Sequence, residues 1–392
     1  MKRLLVLSLA AVVALPLFAA SAVIPETQAV ARAAAYLQAH QKPDGSYTSG
    51  GFGQNDDVIF ALRSAGFDPS KDVTAGKSSV DYFTANAAAE TKPADAAKAA
   101  LAAKALGLDP KSVGGANLIA NVTAGYDSTK GTYAADDFSQ SIAMLGLACT
   151  GNTVPAQASA ALKANQIADG GWGFQGASDP DTTAIAVQAL LASGAAQNDP
   201  AIAKAIAWFG KNQLADGGWG TAPSSNVDST AYVVQALLAD GLSPDSGAYV
   251  HGTVSPTTFL LSQQNADGSF MGYDAGIATA QSIPALAGRT FCNAADTAIT
   301  QVRQQPTATP TATATTPAPA IPTAAVTPAG PTPSTTPPGA TPVKTPSTTA
   351  PAAPNTGSGT RATREPWTAG GVVLVLAAMA AVLGWVAFRR GS

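Results

Sequence analysis

The chain has 392 residues, long enough for two average domains, and its formal net charge of −3 excludes the basic surface that nucleic-acid-binding proteins present. We therefore expect no nucleic-acid partner. Charged residues make up only 12% of the sequence and alanine is abundant, which favours closely packed helices.

The N-terminal residues 1–22 predict a secretory signal peptide. A basic start at Lys2 and Arg3 is followed by an apolar run and by the small-residue cleavage site Ala20-Ser-Ala22. A buried first helix is the alternative, but the run has neither a cap nor a polar face. We expect the mature protein to begin near Val23.

A turn motif then recurs through the middle of the chain. Each clear copy begins with glutamine, contains Asp-Gly and ends with an aromatic residue; the copies lie at 41–47, 166–172, 213–219 and 264–270. A weaker copy lies at 127–133, and residues 78–108 leave room for one more unit. A period of this length is typical of helical repeat proteins, so we predict six units in a domain at 23–304.

Each unit predicts a pair of helices. The leading helices are predicted at 27–40, 79–88, 116–124, 156–165, 200–212 and 253–264, and the second helices at 56–65, 93–106, 136–148, 181–192, 228–239 and 276–287. Two of the second helices, at 182–192 and 229–239, carry no charge on any face, as buried helices do, whereas the leading helices carry basic residues such as Lys163, Lys204 and Arg32. This pattern predicts an all-α (α/α)6 toroid with six inner and six outer helices. An open superhelix of the same pairs is the alternative.

The C-terminal part predicts a tether. Residues 305–366 are rich in Pro, Thr, Ser and Ala, which predicts a disordered stalk. Residues 367–388 are apolar and long enough to cross a bilayer as a transmembrane helix. The arginines in 389–392 place that end in the cytoplasm. We expect an extracellular domain held in the cell membrane by a type I anchor.

A second form of attachment competes with the membrane anchor. The segment Ala353-Pro-Asn-Thr-Gly357 resembles the sorting signal that sortases cleave in bacterial wall proteins. That signal normally opens with Leu, and Ala353 stands there instead. Attachment to the cell wall through a sortase is therefore the alternative.

The two cysteines, Cys149 and Cys292, lack the Cys-x-x-Cys spacing of zinc or dithiol redox motifs. Outside the cell a disulfide between them is permitted, and it would join the middle of the domain to its end. Two buried free thiols are the alternative.

The turn aromatics Trp172 and Trp219 have two interpretations. Asp-Gly-Gly makes a tight turn, after which the indole covers a helix end and the glutamine bonds free backbone groups. The alternative is that both rings stack on a ligand. We favour the structural role because the residues recur in every clear unit.

The repeated Gln-x-x-Asp-Gly-Gly-Trp-Gly motif resembles the Q–W repeats of the terpenoid cyclase and protein prenyltransferase superfamily. The resemblance covers residues 24–289. The same architecture occurs in the helical domain of cobalamin carriers, which this chain also resembles. It implies a toroid whose centre accepts a small molecule.

The resemblance also points to a catalytic position. Class II cyclases such as squalene–hopene cyclase use Asp-x-Asp-Asp-Thr-Ala, whose middle aspartate protonates an alkene. The matching segment here is Asp179-Pro-Asp181-Thr182, so Asp181 falls on the position of the acid. Thr182 replaces the last aspartate, which removes a partner of the acid. Asp181 and Asp179 are the catalytic candidates.

The zinc set of the prenyltransferases is incomplete. Their Asp-x-Cys reads Asp181-Thr-Thr183 here, and the two histidines, His40 and His251, fall at ends of predicted outer helices. Zinc requires nitrogen or sulfur ligands in suitable number. We therefore predict no metal site and no cofactor.

Carboxylates gather at one predicted rim, where the inner helices begin. They are Asp56, Asp57, Asp136, Asp137, Asp179, Asp181, Asp228 and Asp274. Helix capping explains such residues, and we assign Asp136 and Asp228 to it fully. Asp179 and Asp181 are close enough to bind a ligand or to share a proton.

These observations predict a surface-anchored, non-enzymatic toroid that binds a corrinoid or an isoprenoid-like small molecule. The predicted ligand contacts are Trp172, Phe174, Asp179, Asp181, Thr183, Trp219, Asp228, Tyr232 and Tyr273. One alternative is a cyclase- or prenyltransferase-like enzyme that uses Asp181 as an acid. Another is a carbohydrate-active toroid that uses Tyr232, Tyr273 and Asp181.

Overall fold

The computed structural model describes residues 26–47 and 51–301. The predicted signal peptide, stalk, membrane helix, cytoplasmic tail and sortase signal lie outside these ranges and stay predictions. Among the described residues, no helix combines the length and the apolar character that crossing a membrane requires.

Twelve α-helices build the described part of the chain. In chain order they are α1 (Glu26–Ala39), α2 (Phe52–Ser64), α3 (Ser79–Asn86), α4 (Pro93–Ala105), α5 (Leu118–Ala124), α6 (Asp137–Cys149), α7 (Ala156–Ala164), α8 (Pro180–Ala192), α9 (Pro200–Asn212), α10 (Val227–Ala239), α11 (Pro256–Ser262) and α12 (Ala275–Leu286). Two antiparallel hairpins join them: β1 (Val73–Thr74) with β2 (Lys77–Ser78), and β3 (Gly173–Phe174) with β4 (Ala177–Ser178). The predicted all-α fold is confirmed at this level.

The six even-numbered helices pack in a closed cycle. Each packs against the next one in chain order, and α12 packs back against α2. These helices carry most of the fully buried side chains; in α8, for example, every residue from Thr182 to Leu190 is buried. The described helices therefore form a ring, as a toroid requires, and an open superhelix does not fit this packing.

The first and last units meet at one seam of the ring. Helix α1 packs against α12. The Gln264 Nε2 donates to the carbonyl oxygen of Ala29 over 2.8 Å, and Arg32 Nη2 donates to the carbonyl of Asn265 over 2.7 Å. Residues more than 230 positions apart in the chain thus make the same kind of contact that joins neighbouring units elsewhere.

The four turn glutamines act as bridges between units. Gln166 Nε2 donates to the carbonyl of Gly170 in its own turn (2.8 Å) and to the carbonyl of Ala201 in the next outer helix, α9 (2.7 Å). Equivalent pairs of bonds are made by Gln41, Gln213 and Gln264. Each glutamine satisfies backbone groups that a helix end leaves free.

The turn tryptophans belong to the wall of the ring. Both are fully buried. The Trp172 indole donates to the carbonyl of Leu162 over 2.7 Å, and the Trp219 indole donates to the carbonyl of Phe209 over 2.9 Å. An enclosed indole with a satisfied N–H has no face free for a ligand, so the structure supports the structural role.

Residues 289–301, which we call the strap, run across the C-terminal ends of several inner helices. A disulfide joins Cys292 in the strap to Cys149 at the end of α6, with 4.5 Å between the Cα atoms. Lys104 of α4 pairs with Asp296 at 3.2 Å, and the backbone N–H of Thr300 donates to the carbonyl of Gly66 after α2. The strap is thereby fastened to three inner helices.

Candidate functional site

A recurring hydrogen bond places the inner helices in register. In five units, a side chain in the first turn of the inner helix accepts from the backbone N–H of the turn aromatic, over 2.6 to 2.9 Å. The acceptors are Asn55, Gln140, Thr183, Thr230 and Thr279. Residues at the same offset from these acceptors are therefore structurally equivalent.

Two equivalent positions supply the groups at the centre of the ring. The position two residues before the acceptor holds Gly53, Phe138, Asp181, Asp228 and Ile277. The position two residues after it holds Asp57, Ile142, Ile185, Tyr232 and Gln281. Because residues four apart lie on one face of a helix, these positions form an upper and a lower layer of the same inner surface.

Contacts between helices that are not neighbours show that this surface faces the centre. The ring of Phe138 in α6 meets the ring of Tyr232 in α10 edge-on, with 6.3 Å between the centroids. Helix α8 separates α6 from α10 in the cycle. The Tyr232 hydroxyl also accepts from Gln281 Nε2 of α12 over 3.0 Å. Tyr232 is therefore a central residue of the site.

Asp181 and Asp228 bring two carboxyl groups to the upper layer. Burial raises the pKa of Asp181 to about 6, opposed by a hydrogen bond with the Ser229 side chain. Burial raises the pKa of Asp228 to about 7, and the charges of Asp181 and Asp57 add to the rise. Among the described residues, Oδ1 of each carboxyl has no hydrogen-bond partner. Both groups can therefore hold a proton near neutral pH and present it to a bound molecule.

The lower layer contains an ion pair. Lys98 Nζ of α4 lies 2.7 Å from Oδ2 of Asp57 in α2, and both side chains are largely buried. Burial raises the pKa of Asp57, while the lysine charge and hydrogen bond oppose the rise. Lys98 therefore balances Asp57, whereas Asp181 and Asp228 of the upper layer form no ion pair among the described residues.

The assignment of Asp228 to helix capping is wrong. Asn226 caps α10, and its Oδ1 accepts from the backbone N–H of Ser229 over 2.7 Å. Asp228 stands two residues further on and faces inward instead. Asp136 does cap α6, with its carboxylate accepting from Ser139 over 2.8 Å.

Asp179 is the N-cap of α8. Its carboxylate accepts from the backbone N–H of Thr182 (2.7 Å) and from the Thr182 hydroxyl (2.9 Å). Thr182, which stands where the cyclase motif has its last aspartate, is thus used to hold the cap. Asp179 raises the pKa of Asp181 through its charge, as the smallest of the three contributions.

The predicted ligand contacts separate into three groups. Asp181, Asp228 and Tyr232 meet at the centre. Trp172, Trp219 and Thr183 lie inside the wall, where the Thr183 hydroxyl accepts from the N–H of Trp172. Phe174 and Tyr273 are 60% and 84% exposed on the loops that precede α8 and α12. An exposed Tyr273 does not join Tyr232 and Asp181, so the set for a carbohydrate-active site is not assembled.

Sequence reasoning missed several central residues, namely Phe60, Lys98, Phe138, Gln188, Gln281 and Phe291. Phe291 stacks on Phe60 with 5.2 Å between centroids and on Tyr232 with 6.4 Å. The repeat register was the signal that could have found Phe138 and Gln281, since they occupy the positions of Asp181 and Tyr232, respectively. Phe291 lies in the strap, outside the repeats, and has no such signal.

Comparisons with known proteins agree on the fold. A family model described as the squalene–hopene cyclase C-terminal domain matches residues 132–270. The type II terpene cyclase MstE from Scytonema superposes with a TM-score of 0.53 at 15% identity, covering 67% of this chain and 97% of that one. Its complex with the substrate geranylgeranyl dihydroxybenzoate gives a TM-score of 0.52 at 15% identity, with 69% and 98% covered. No curated protein matches the sequence.

The described part of this chain is similar in fold to type II terpene cyclases, and its residues 132–270 match the squalene–hopene cyclase C-terminal domain. At 15% identity the structural likeness shows the fold and leaves the chemistry to the site itself. The family match runs from the third turn to the last turn aromatic, so it includes Asp181, Asp228 and Tyr232 of the terpenoid cyclase-like ring. Helices α1 to α5, helix α12 and the strap lie outside it.

Proposed function

We propose that the ring is a type II terpene cyclase-like enzyme that protonates an alkene of a small isoprenoid-like substrate. The observation that carries this proposal is the pair of inward carboxyls, Asp181 and Asp228. Each is partly buried, each has one oxygen that is closed to solvent and has no hydrogen-bond partner among the described residues, and burial raises the pKa of both. A general acid needs its proton at the working pH, and here the protein holds it there by burial.

The chemical step uses Asp181, which occupies the position of the acid in the resembled motif. Its carboxyl transfers a proton to one alkene carbon, and the π electrons of the alkene form the new C–H bond. The neighbouring carbon becomes a cation and Asp181 becomes a carboxylate. A second alkene of the substrate then attacks the cation, which forms a C–C bond. The cyclised cation loses a proton to water, which gives a neutral product, and Asp181 regains its proton from the solvent.

The neighbouring groups support this role. Asp228, with the higher pKa, is the group that keeps a proton in the pair when the pH rises past that of Asp181. The Ser229 hydroxyl fixes one oxygen of Asp181 and leaves the other free. Phe138 and Tyr232 line the same space with apolar surface suited to a hydrocarbon chain.

The test is product formation from geraniol and farnesol in deuterated water. Cyclisation by protonation places one solvent deuterium in each product molecule, which mass spectrometry detects. We expect Asp181→Asn to lower the rate at least about a hundredfold, the low end of general-acid catalysis. Wild-type activity should fall as the pH rises above about 6, because the raised pKa of Asp181, the acid, is then exceeded.

The matched control is Asp136→Asn, which changes an exposed cap to another good capping residue. It should leave turnover unchanged. Equal rates for the wild type and Asp181→Asn, or products without deuterium, would rule out Asp181 as the acid.

A second candidate function is binding without catalysis. It is favoured by Thr182, which bonds to Asp179 and supplies no carboxyl partner to Asp181. In that case an isoprenoid or a corrinoid binds in the ring unchanged, and cobalamin binding is measured by its visible absorbance. Binding with no product in the deuterium experiment selects this candidate. In either case we propose that residues 367–388 hold the protein at the outer face of the cell membrane.

A further inference from the structure

One aromatic side chain of the strap lies at the middle of the ring. Phe291 stacks on Phe60 of α2 and on Tyr232 of α10. Its backbone N–H donates to Gln188 Oε1 of α8 over 3.5 Å. Helices α2 and α8 occupy opposite places in the cycle of six, so a residue that touches both spans the centre. Phe291 is only 8% exposed.

The depth of Phe291 below the acidic layer follows from helix geometry. Asp181 and Gln188 lie two turns apart on α8, which corresponds to ~10 Å along the axis. The Asp181 carboxyl stands at the upper level and Phe291 meets Gln188 at the lower one. We call the inner surface between these two levels the cup, with the two carboxyls at its upper end and Phe291 as its aromatic floor.

The residue that forms the floor, Phe291, belongs to the strap and not to a repeat, and contacts of the strap hold it in place. The residue next to Phe291 is Cys292, whose disulfide with Cys149 fixes the strap at the end of α6. Arg63 of α2 donates to the carbonyl of Ala295 over 3.2 Å. These attachments flank Phe291 in the chain and hold its backbone at the centre of the ring.

We propose that Phe291 sets the depth of the site and so selects short isoprenoid chains over long ones. The choice of isoprenoids rests on the proposed function, whereas the depth rests on the position of Phe291. A chain longer than the cup must displace the phenyl ring, which costs its stacking with Phe60 and Tyr232. Removing the ring opens the space between α2 and α8.

The experiment measures binding of geraniol, farnesol and geranylgeraniol to the full-length protein by calorimetry. We expect the wild type to bind geraniol or farnesol more tightly than geranylgeraniol. In Phe291→Ala the preference should reverse, with geranylgeraniol gaining about tenfold in affinity from the newly available apolar surface. Phe291→Leu, which keeps most of the volume, should give a smaller shift in the same direction and serves if the alanine variant does not fold.

The matched control is Phe270→Leu, which alters a fully buried aromatic of the wall. It should change stability without changing the length preference. The inference is overturned if geranylgeraniol already binds best to the wild type, if none of the three alcohols binds, or if the folded Phe291 variants keep the wild-type order.

The same series in Asp181→Asn separates this inference from the proposed function. A length preference that persists without turnover supports the role of Phe291 and leaves catalysis to the deuterium experiment. Asp181-dependent turnover with no effect of Phe291 on chain length would overturn the inference alone.

Discussion

The carboxyl groups of Asp181 and Asp228 are placed where ionisation is unfavourable. Within the described part of the chain, neither has a cationic partner like the one that Lys98 provides to Asp57. A protein keeps such groups at a cost in stability, and that cost depends on pH. Uncompensated buried carboxyls that face a central space are typical of functional sites.

The pH dependence of stability follows from these two residues. Above pH about 4 the unfolded chain releases both protons, whereas the folded ring keeps them until pH about 6 and 7, the raised pKa values of Asp181 and Asp228. The folded state thus binds more protons in this window, so the free energy of unfolding falls as the pH rises through it. For Asp181, the pKa rise from 3.8 to about 6 corresponds to up to about 3 kcal/mol.

We expect Asp181→Asn and Asp228→Asn each to raise the free energy of unfolding at pH 8 by about 2 kcal/mol and to flatten its slope between pH 4 and 7. Denaturant unfolding at a series of pH values measures this. Asp136→Asn should follow the wild-type curve. A wild-type stability that rises over the same interval would contradict the raised pKa of both carboxyls.

At the scale of the helix pair, the bridging glutamine joins one unit to the next. Gln213 and Gln264 make the same two bonds, but Gln264 makes one of them across the seam, to Ala29. In a closed ring the seam is one more junction between units. In an open array the terminal unit would fray independently of the others.

We expect Gln213→Ala and Gln264→Ala to lower the free energy of unfolding equally, by about 2 kcal/mol for two lost hydrogen bonds. Each variant should unfold in a single transition by circular dichroism. Gln157→Ala, at an exposed position, is the control and should stay near the wild type. If Gln264→Ala left the free energy of unfolding almost unchanged while Gln213→Ala lowered it, the seam would not close the ring.

Helix pairs were the part of the fold that the sequence could predict, because local signals determine them. The recurring glutamine, the Asp-Gly turn and the charge-free second helices predict α8 and α10 to within a residue or two at their ends. Closure of the ring is a property of all the units together, so the open array stayed an alternative. Asp228 was misread for a local reason: an aspartate near a helix start looks like a cap, and only the structure identifies Asn226 in that place.

At the scale of the whole molecule, the strap was beyond sequence reasoning. Nothing in residues 289–301 repeats an earlier unit, and a phenylalanine next to a cysteine carries no periodic signal. The position of Phe291 results from where the strap crosses the finished ring. The two cysteines indicated only that a link between the middle and the end of the domain was permitted.

The disulfide should contribute strongly to stability, since Cys149 and Cys292 are 143 residues apart in the chain. We expect the double variant Cys149→Ser, Cys292→Ser to lose roughly 2–4 kcal/mol of unfolding free energy. Reductant should lower the stability of the wild type by the same amount and leave the double variant unchanged. A wild type whose denaturant midpoint ignores reductant would show that the link carries no stability.

The strap also determines how the ring would respond to mechanical load. A pull applied beyond Gln301 would first strain the two backbone hydrogen bonds from Thr300 and Gln301 to the carbonyl of Gly66. Once these bonds and the contacts of Asp296 with Lys104 and of Ala295 with Arg63 part, the covalent link at Cys292 takes the load and passes it to α6. Phe291 precedes Cys292 in the chain, so a pull from the C-terminal side does not reach it while the disulfide holds. Tension would detach the part of the strap that follows Cys292 and leave Phe291, the floor of the cup, in place.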